Sequence, residues 1–210
     1  MRFKEYSEPS PHIIVDDFLT CEEYNGVRNE INDLLHIMNT GKVKDNRNIN
    51  NDDESLHVKT KNNLNIWLES VYTNINSRNN SVILNKVIKR IWGYEMTFFL
   101  QNADSGIFRL YNITNSDSTL LSAYKNGGFY MKHTDNSDSI RNLFLTSNLM
   151  IGGNFKGGDF VLCDKTIPFK DNRLIIFESH REHNVTTVET DNNSDNWRYS
   201  IQYFAVLKKT

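Results

Sequence analysis

The sequence predicts an α+β protein in which a double-stranded β-helix, or jelly roll, carries helices on the outside of one sheet. Two observations support this. After residue 105 the chain is a series of short strand-like runs separated by Gly, Asn, Asp and Ser, whereas before it apolar residues recur at helical spacing. Many short strands with such punctuation are typical of a sandwich or jelly roll. We expect one domain over residues 1–210, with a mainly helical part at 1–104 and the jelly-roll core at 105–210.

The chain is expected to begin with a strand and a helix. The apolar run at 13–15 indicates the strand. Thr20, followed three residues later by Glu23, forms a capping box, which marks a helix start. Apolar residues then continue at helical spacing to Met38, and Gly41 is the predicted C-cap.

Three further segments complete the first half. Residues 44–55 are almost wholly polar, which indicates a solvated loop; the alternative is a lid over a cleft. A second helix is expected over 63–75. A third is expected to be capped by Ser81 and to present an apolar stripe as far as Phe98.

The second half contains eight strand-like runs. These are residues 107–111, 119–124, 129–133, 143–151, 160–163, 173–177, 183–188 and 198–207. With the helices of the first half packed outside, this pattern favours the double-stranded β-helix.

A candidate metal site lies at the end of the 129–133 run. Alternate residues of a strand point to the same face, so His133 and Asp135 are expected to converge. His183, which opens a later strand, is the favoured third ligand, and His180 in the preceding turn is the alternative. Two histidines and one carboxylate form a facial triad, which leaves coordination positions open and suits a non-haem Fe(II) oxygenase.

The last strand carries Arg198 and Ser200 on one face. If that face is inward, the guanidinium is buried and needs an anionic partner. A carboxylate suits its planar, bidentate geometry. The alternative is an outward-facing Arg198 on a solvated strand.

Composition excludes several classes of protein. The formal net charge of −2 over 210 residues disfavours a general nucleic-acid binder. No apolar run is long enough to span a bilayer, and no apolar signal segment is visible at the start. The two cysteines have no CxxC spacing, so a disulfide framework is not expected. We therefore expect a cytoplasmic protein without a membrane partner.

From Leu121 to Leu207 the chain resembles the prolyl-hydroxylase-like branch of the 2-oxoglutarate, Fe(II)-dependent oxygenases. The motifs that carry this resemblance are YKNGGFYMKHTD at 124–135, NFKGGDF at 154–160, LIIFESxxxHNVxxV at 174–188 and WRYSI at 197–201. The opening PHIIVDDFLTCEEY also resembles the first strand and helix of the family.

The resemblance implies a role for each matching residue. His133, Asp135 and His183 would hold iron. Arg198 would bind the distal carboxylate of 2-oxoglutarate with help from two hydroxyl groups, those of Tyr124 and Ser200. Tyr130 is expected to face the substrate.

Phe204 is a second candidate for the substrate-facing surface. An aromatic groove drawn from Phe129, Tyr130, Tyr203 and Phe204 would suit a prolyl segment, although alternation allows only about half of these side chains to face inward.

The implied activity is hydroxylation of an aliphatic carbon, and the favoured substrate is a prolyl residue of a peptide or protein. The implied cofactors and co-substrates are Fe(II), 2-oxoglutarate and O2, with ascorbate as an additional reductant. Two alternatives stay open: an oxygenase of the same class that acts on a free amino acid or nucleobase, and a metal-binding jelly-roll module without turnover.

Overall fold

The computed structural model describes residues 1–41, 60–135 and 143–207. The loop or lid predicted at 44–55 lies outside the described residues. Within them, no helix is both long and apolar enough to cross a membrane.

The described strands form two facing sheets and a small two-stranded ribbon. Their bounds are β1 Arg2–Tyr6, β2 His12–Asp16, β3 Asn39–Thr40, β4 Lys61–Asn62, β5 Leu64–Trp67, β6 Thr114–Tyr124, β7 Phe129–His133, β8 Leu143–Gly152, β9 Lys156–Gly157, β10 Phe160–Leu162, β11 Lys165–Ile167, β12 Arg173–Glu178, β13 His183–Val185, β14 Val188–Glu189 and β15 Arg198–Leu207. The large sheet has the order β1-β2-β12-β8-β15-β6-β5-β3, the small sheet β11-β10-β13-β7-β4, and β14 pairs with β9.

In the described part of the chain the α-helices precede β6. They are α1 Cys21–Leu34, α2 Leu68–Val71, α3 Ile75–Asn80, a π-helical stretch Ile83–Ile88 that continues as α4 Lys89–Ile91, α5 Tyr94–Gln101 and α6 Gly106–Arg109. Short 3-10 turns cover Leu35–Ile37, Leu110–Ile113 and Ser194–Asn196. The predicted capping box is present at the start of α1. The Thr20 side chain accepts a hydrogen bond from the backbone N–H of Glu23, and the Glu23 side chain accepts one from the backbone N–H of Thr20.

The two faces of the large sheet have different environments. Side chains of its outer face, such as Leu149 and Ile201, pack with Val27 and Ile91 of the helices in one apolar core. Burying one such side chain contributes about 1.5–3 kcal/mol. On the inner face, toward the small sheet, an apolar cluster around Phe177 fills one end. The other end is lined by buried polar side chains, which Thr146, Asn148, Arg198, Ser200 and Gln202 provide.

The predicted fold agrees with the structure: the antiparallel sheets, with helices packed outside one of them, form an α+β jelly roll. The strands predicted at 129–133 and 198–207 have those bounds in the structure. The N-terminal part also contributes strands to both sheets, since β2 pairs with β12 and β4 pairs with β7.

Several local predictions were wrong. Residues 64–67 form β5, paired with β6, where a helix over 63–75 was expected. Residues 107–111 are helical where a strand was expected. In both places tertiary packing overrides a weak local pattern.

Smaller deviations concern element ends. Helix α1 ends at Leu34, and Gly41 instead donates its backbone N–H to the carbonyl of Asn63. Ser81 does cap the third helical segment, because its Oγ accepts from the Leu84 N–H at 3.0 Å. That segment breaks before α5, which leaves Phe98 56% exposed and outside the predicted apolar stripe.

Candidate metal centre

The pairing of β7 with β13 brings two of the predicted ligands together. His133 is the last residue of β7, and His183 is the first of β13 and lies directly opposite it. Asp135 follows β7, and its backbone N–H donates to the Ser179 carbonyl at 3.0 Å. Asp135 Oδ1 lies 3.7 Å from His133 Nε2 and 3.5 Å from His183 Nε2. One potential ligand atom from each side chain falls within 4.8 Å of the others.

Hydrogen bonds fix the orientation of both imidazole rings. Nδ1 of His133 donates to the Met131 carbonyl at 2.8 Å, and Nδ1 of His183 donates to the Arg181 carbonyl at 2.9 Å. Because each Nδ1 carries the proton, each Nε2 presents its lone pair. Both Nε2 atoms are buried and have no hydrogen-bond partner among the described residues. Two unpartnered ring nitrogens aimed at one carboxylate fit a metal cation between them.

The carboxylate of Asp135 is held from its far side. Thr146 Oγ1 donates to Asp135 Oδ2 at 2.7 Å and lies 2.9 Å from Ser179 Oγ. This leaves Oδ1 for the histidine side of the site. The contact of these hydroxyls with Asp135 was not predicted from the sequence, because Thr146 lies in, and Ser179 lies beside, an apolar strand that the sequence predicts to be buried throughout.

The electrostatics of the three side chains favour a bound positive charge. Burial raises the pKa of Asp135, but the two neighbouring imidazoles outweigh it and hold that pKa well below its usual range. Burial lowers the pKa of His133. For His183, Asp135 outweighs the effect of burial, so its pKa is raised. The carboxylate is thus stabilised in its ionised form between two nitrogen donors.

His180, the alternative third ligand, lies away from this cluster. Its side chain is 52% exposed, and its Nε2 is 3.7 Å from the carboxylate of Glu178. The structure therefore places His183, and not His180, beside His133 and Asp135.

Arg198 lies on the inner face of β15 with its side chain fully buried. Its Nε donates to the Gly158 carbonyl at 2.7 Å, while Nη1 and Nη2 have no partner among the described residues. The guanidinium carbon lies 4.8 Å from the centre of the Tyr124 ring. A buried guanidinium with two free nitrogens requires an anion, and a carboxylate matches its geometry.

Gly158 allows this position of Arg198. Its φ is +66°, which favours glycine, and a Cβ there would come within 2.9 Å of Arg198 Cδ. The inner face continues with Ser200, which donates to Asn148 Oδ1 at 2.5 Å. Ser200 thus contacts a neighbouring side chain and lies one inward position along β15 from Arg198.

The aromatic side chains that were expected to line a substrate groove do not all lie on the inner face of the sheets. The Tyr130 ring stacks on His133 with 3.5 Å between ring centres. Phe204 lies opposite Thr146 in the strand register and contacts Trp67 at 5.9 Å between ring centres. The prediction of Tyr203 as a groove residue was wrong. Its side chain points to the outer core, where its hydroxyl accepts a hydrogen bond from Trp92 Nε1.

Lys61, which the sequence did not single out, also lies at the site. It pairs with Tyr130 across β4 and β7, and its Nζ is 4.4 Å from the centre of that ring. Burial lowers its pKa to about 8, against the opposing effect of Asp135.

The geometry as a whole offers two adjacent subsites between the sheets. Two imidazole nitrogens and one carboxylate are the donor set that non-haem Fe(II) oxygenases use, and they leave coordination positions open. A closed structural zinc site would instead use four protein ligands. The buried Arg198 and Tyr124 form the second subsite, which suits an anion.

Comparison with known proteins agrees with this arrangement. Residues 119–206 match the family model of the 2OG-Fe(II) oxygenase superfamily, and this confirms the resemblance predicted from the motifs. A search of the curated proteins found no match.

Solved structures similar to the chain include a prolyl hydroxylase from Trichoplax adhaerens in complex with a hypoxia inducible factor peptide fragment. It is 18% identical, with a TM-score of 0.62 over 93% of this chain and 83% of that one. A prolyl-4-hydroxylase from Pseudomonas putida is 12% identical, with a TM-score of 0.62 over 94% and 92%.

The non-heme α-ketoglutarate dependent epimerase SnoN from nogalamycin biosynthesis is 10% identical, with a TM-score of 0.60 over 93% of this chain and 78% of that one. At these identities the similarity shows a shared fold.

Proposed function

We propose that this chain, whose residues 119–206 match the 2OG-Fe(II) oxygenase superfamily, is an Fe(II)- and 2-oxoglutarate-dependent dioxygenase. The observation that carries the proposal is the convergence of His133, Asp135 and His183 beside a fully buried Arg198 whose terminal nitrogens lack partners among the described residues. A metal-binding module without turnover would not need that second, anion-binding subsite.

In this proposal His133, Asp135 and His183 hold the iron. The ring nitrogens are already oriented by the Nδ1 hydrogen bonds, and Thr146 orients the carboxylate. Groups that orient the metal ligands in this way commonly affect metal affinity. When bound, iron and 2-oxoglutarate supply the oxidising chemistry: O2 provides one oxygen atom to a substrate C–H bond and one to succinate, and CO2 is released.

Arg198 and Tyr124 bind the distal carboxylate of 2-oxoglutarate. Two charged N–H groups of Arg198 match the two carboxylate oxygens, and the Tyr124 hydroxyl donates from the neighbouring strand. Ser200 extends the same polar face. The fully buried setting excludes water, so these interactions are stronger than at a surface.

The finer proposal is that the substrate is a prolyl residue in a peptide or protein. It is supported by the prolyl hydroxylases among the similar structures and by the aromatic side chains of Tyr130 and Phe204 near the site. Proline lacks a backbone N–H and favours the extended polyproline II form, which aromatic grooves bind well. The epimerase among the similar structures makes a different oxidation of a small molecule the main competitor.

The test is aerobic incubation with Fe(II), 2-oxoglutarate, ascorbate and a library of proline-containing peptides. We expect succinate release together with a mass gain of one oxygen atom in a peptide, and neither product from His183→Ala. Succinate formed with a free amino acid or nucleobase oxidised instead would retain the dioxygenase and contradict the prolyl substrate. No succinate with any substrate class, despite bound metal, would contradict the dioxygenase itself.

A further inference from the structure

Asn63 lies where the chain crosses between the two sheets. The preceding residues Lys61–Asn62 form β4 at the edge of the small sheet, and the following Leu64–Trp67 form β5 in the large sheet. The crossing is anchored on both sides of Asn63. Asn62 Nδ2 donates to the Gly127 carbonyl at 2.9 Å, and the Asn63 carbonyl accepts from the Gly41 N–H at 2.8 Å.

The side chain of Asn63 is buried, but its polar atoms make no hydrogen bond to any described residue. The residue is 4% exposed, yet neither Nδ2 nor Oδ1 has a hydrogen-bond partner among the described residues. Most buried polar side chains are paired, because an unpaired buried amide reduces stability. The amide of Asn63 therefore has hydrogen-bonding capacity that the described residues do not use.

The strand register places this amide on the inner face. Along β5, Leu64 and Ile66 pack with the outer apolar core, whereas Trp67 contacts Phe204 on the inner side. By alternation, Asn63 shares the face of Trp67 and therefore faces the space between the sheets.

Tyr124 is the immediate neighbour of Asn63 on that face. Leu64 pairs with Ala123, which puts Asn63 next to Tyr124. Burial raises the pKa of the Tyr124 hydroxyl, and the nearby Arg198 guanidinium and Asn63 carboxamide lower it. The carboxamide therefore lies beside the Tyr124 hydroxyl.

Gly41 makes room for this side chain. A Cβ at residue 41 would come within 2.1 Å of Asn63 Oδ1 and 2.8 Å of Lys61 Cε. The carboxamide therefore packs against bare backbone on one side and faces the Tyr124–Arg198 subsite on the other.

We propose that Asn63 is a further co-substrate-binding residue, whose amide donates a hydrogen bond to 2-oxoglutarate beside Tyr124 and Arg198. This inference rests on the proposed function. Polar side chains of Asn63, Tyr124 and Arg198 then surround the ligand. A carboxylate oxygen of the ligand supplies the hydrogen bond that the Asn63 amide lacks among the described residues.

The test measures binding of 2-oxoglutarate to the Mn(II)-loaded protein by calorimetry, which needs no turnover. Asn63→Ala should weaken binding at least about tenfold, the effect of losing one hydrogen bond to a charged group. Asn63→Asp should weaken it further, because a carboxylate repels the ligand. Thermal unfolding of the apo Asn63→Ala protein should occur at the wild-type temperature or above, since an unsatisfied buried amide has been removed.

Asn62→Ala is the matched control. Its exposed side chain bonds the Gly127 carbonyl, so its loss should lower the melting temperature of the apo protein and leave 2-oxoglutarate affinity unchanged. Wild-type affinity in Asn63→Ala, with affinity lost in Arg198→Ala, would overturn the inference and keep the proposed function. A lower apo melting temperature in Asn63→Ala would show a structural role and also overturn it. Absence of 2-oxoglutarate binding by the wild type would overturn the proposed function and the inference with it.

Discussion

Arg198 and Tyr124 lie directly opposite each other on β15 and β6, with the guanidinium carbon 4.8 Å from the phenol ring centre. This contact fixes the guanidinium in a buried position without using its two terminal nitrogens. Burial lowers the pKa of Arg198, and Tyr124 and Asp159 oppose that effect. An incoming carboxylate would supply the negative charge that no described residue places against Nη1 and Nη2.

Replacement of Arg198 by Ala should therefore weaken 2-oxoglutarate binding by at least about tenfold, since a hydrogen bond to a charged group contributes roughly 1.5–3 kcal/mol. Arg198→Lys should recover only part of the affinity, because the ammonium lacks the bidentate geometry. Calorimetry with the Mn(II)-loaded protein measures both. Equal affinity in wild type and Arg198→Ala would place the co-substrate elsewhere.

The two histidines of the 178–183 turn provide a direct comparison. His183→Ala should abolish tight binding of one divalent cation, because a ligand beside Asp135 is lost. His180→Ala should bind as wild type does, since its half-exposed ring lies beside Glu178. Titration with Co(II) or Mn(II) separates the two. The opposite pattern would show that the turn rearranges when metal binds.

Much of the candidate site was predictable because its residues lie on strands with clear alternation. The spacing of His133 and Asp135 predicted their convergence. The period of the last strand placed Arg198 and Ser200 on one face but left open whether that face is inward. That His183 lies opposite His133 is a matter of cross-strand register, which local sequence does not encode. The role of these side chains as ligands is still a prediction.

The residues missed by sequence reasoning share one feature: their significance depends on distant neighbours. Thr146 lies in a strand that reads as continuously buried, and only the fold shows its hydroxyl on Asp135. Asn63 was missed because it begins the segment 63–75, for which a helix was expected. Lys61 was missed because no strand was expected at 61–62. Leucines four residues apart fit a helix, but Leu64 belongs to a strand paired with β6 and Leu68 begins α2.

Acid stability should depend on Asp16 at the end of β2. Hydrogen bonds from Arg173 are the main cause that lowers its pKa from 3.8 to about 2, with Lys170 adding to the effect and burial opposing it. Arg173 Nε and Lys170 Nζ lie 2.7 Å and 2.9 Å from its carboxylate oxygens. Because the folded-state pKa is below the unfolded one, the stabilisation is complete above about pH 4 and is lost as pH falls to about 2.

Asp16→Asn measures this contribution. At pH 7 we expect the free energy of unfolding to fall by about 1–2 kcal/mol, after allowance for solvent screening of a partly exposed pair. The difference between wild type and variant should shrink between pH 4 and pH 2, as urea denaturation at several pH values would show. A difference that stays constant over this range would mean that packing, and not ionisation, links Asp16 to stability.

Thr146→Val tests the support of the metal ligands without touching a ligand. Valine has nearly the shape of threonine but cannot donate to Asp135 Oδ2, and Ser179 Oγ loses its 2.9 Å neighbour as well. Loss of such an orienting group typically lowers metal affinity about 10–100-fold. We expect that loss in a Co(II) titration, together with recovery in Thr146→Ser, which retains the hydroxyl. If Thr146→Val binds metal as tightly as wild type, the carboxylate is oriented by its backbone bond to Ser179 alone.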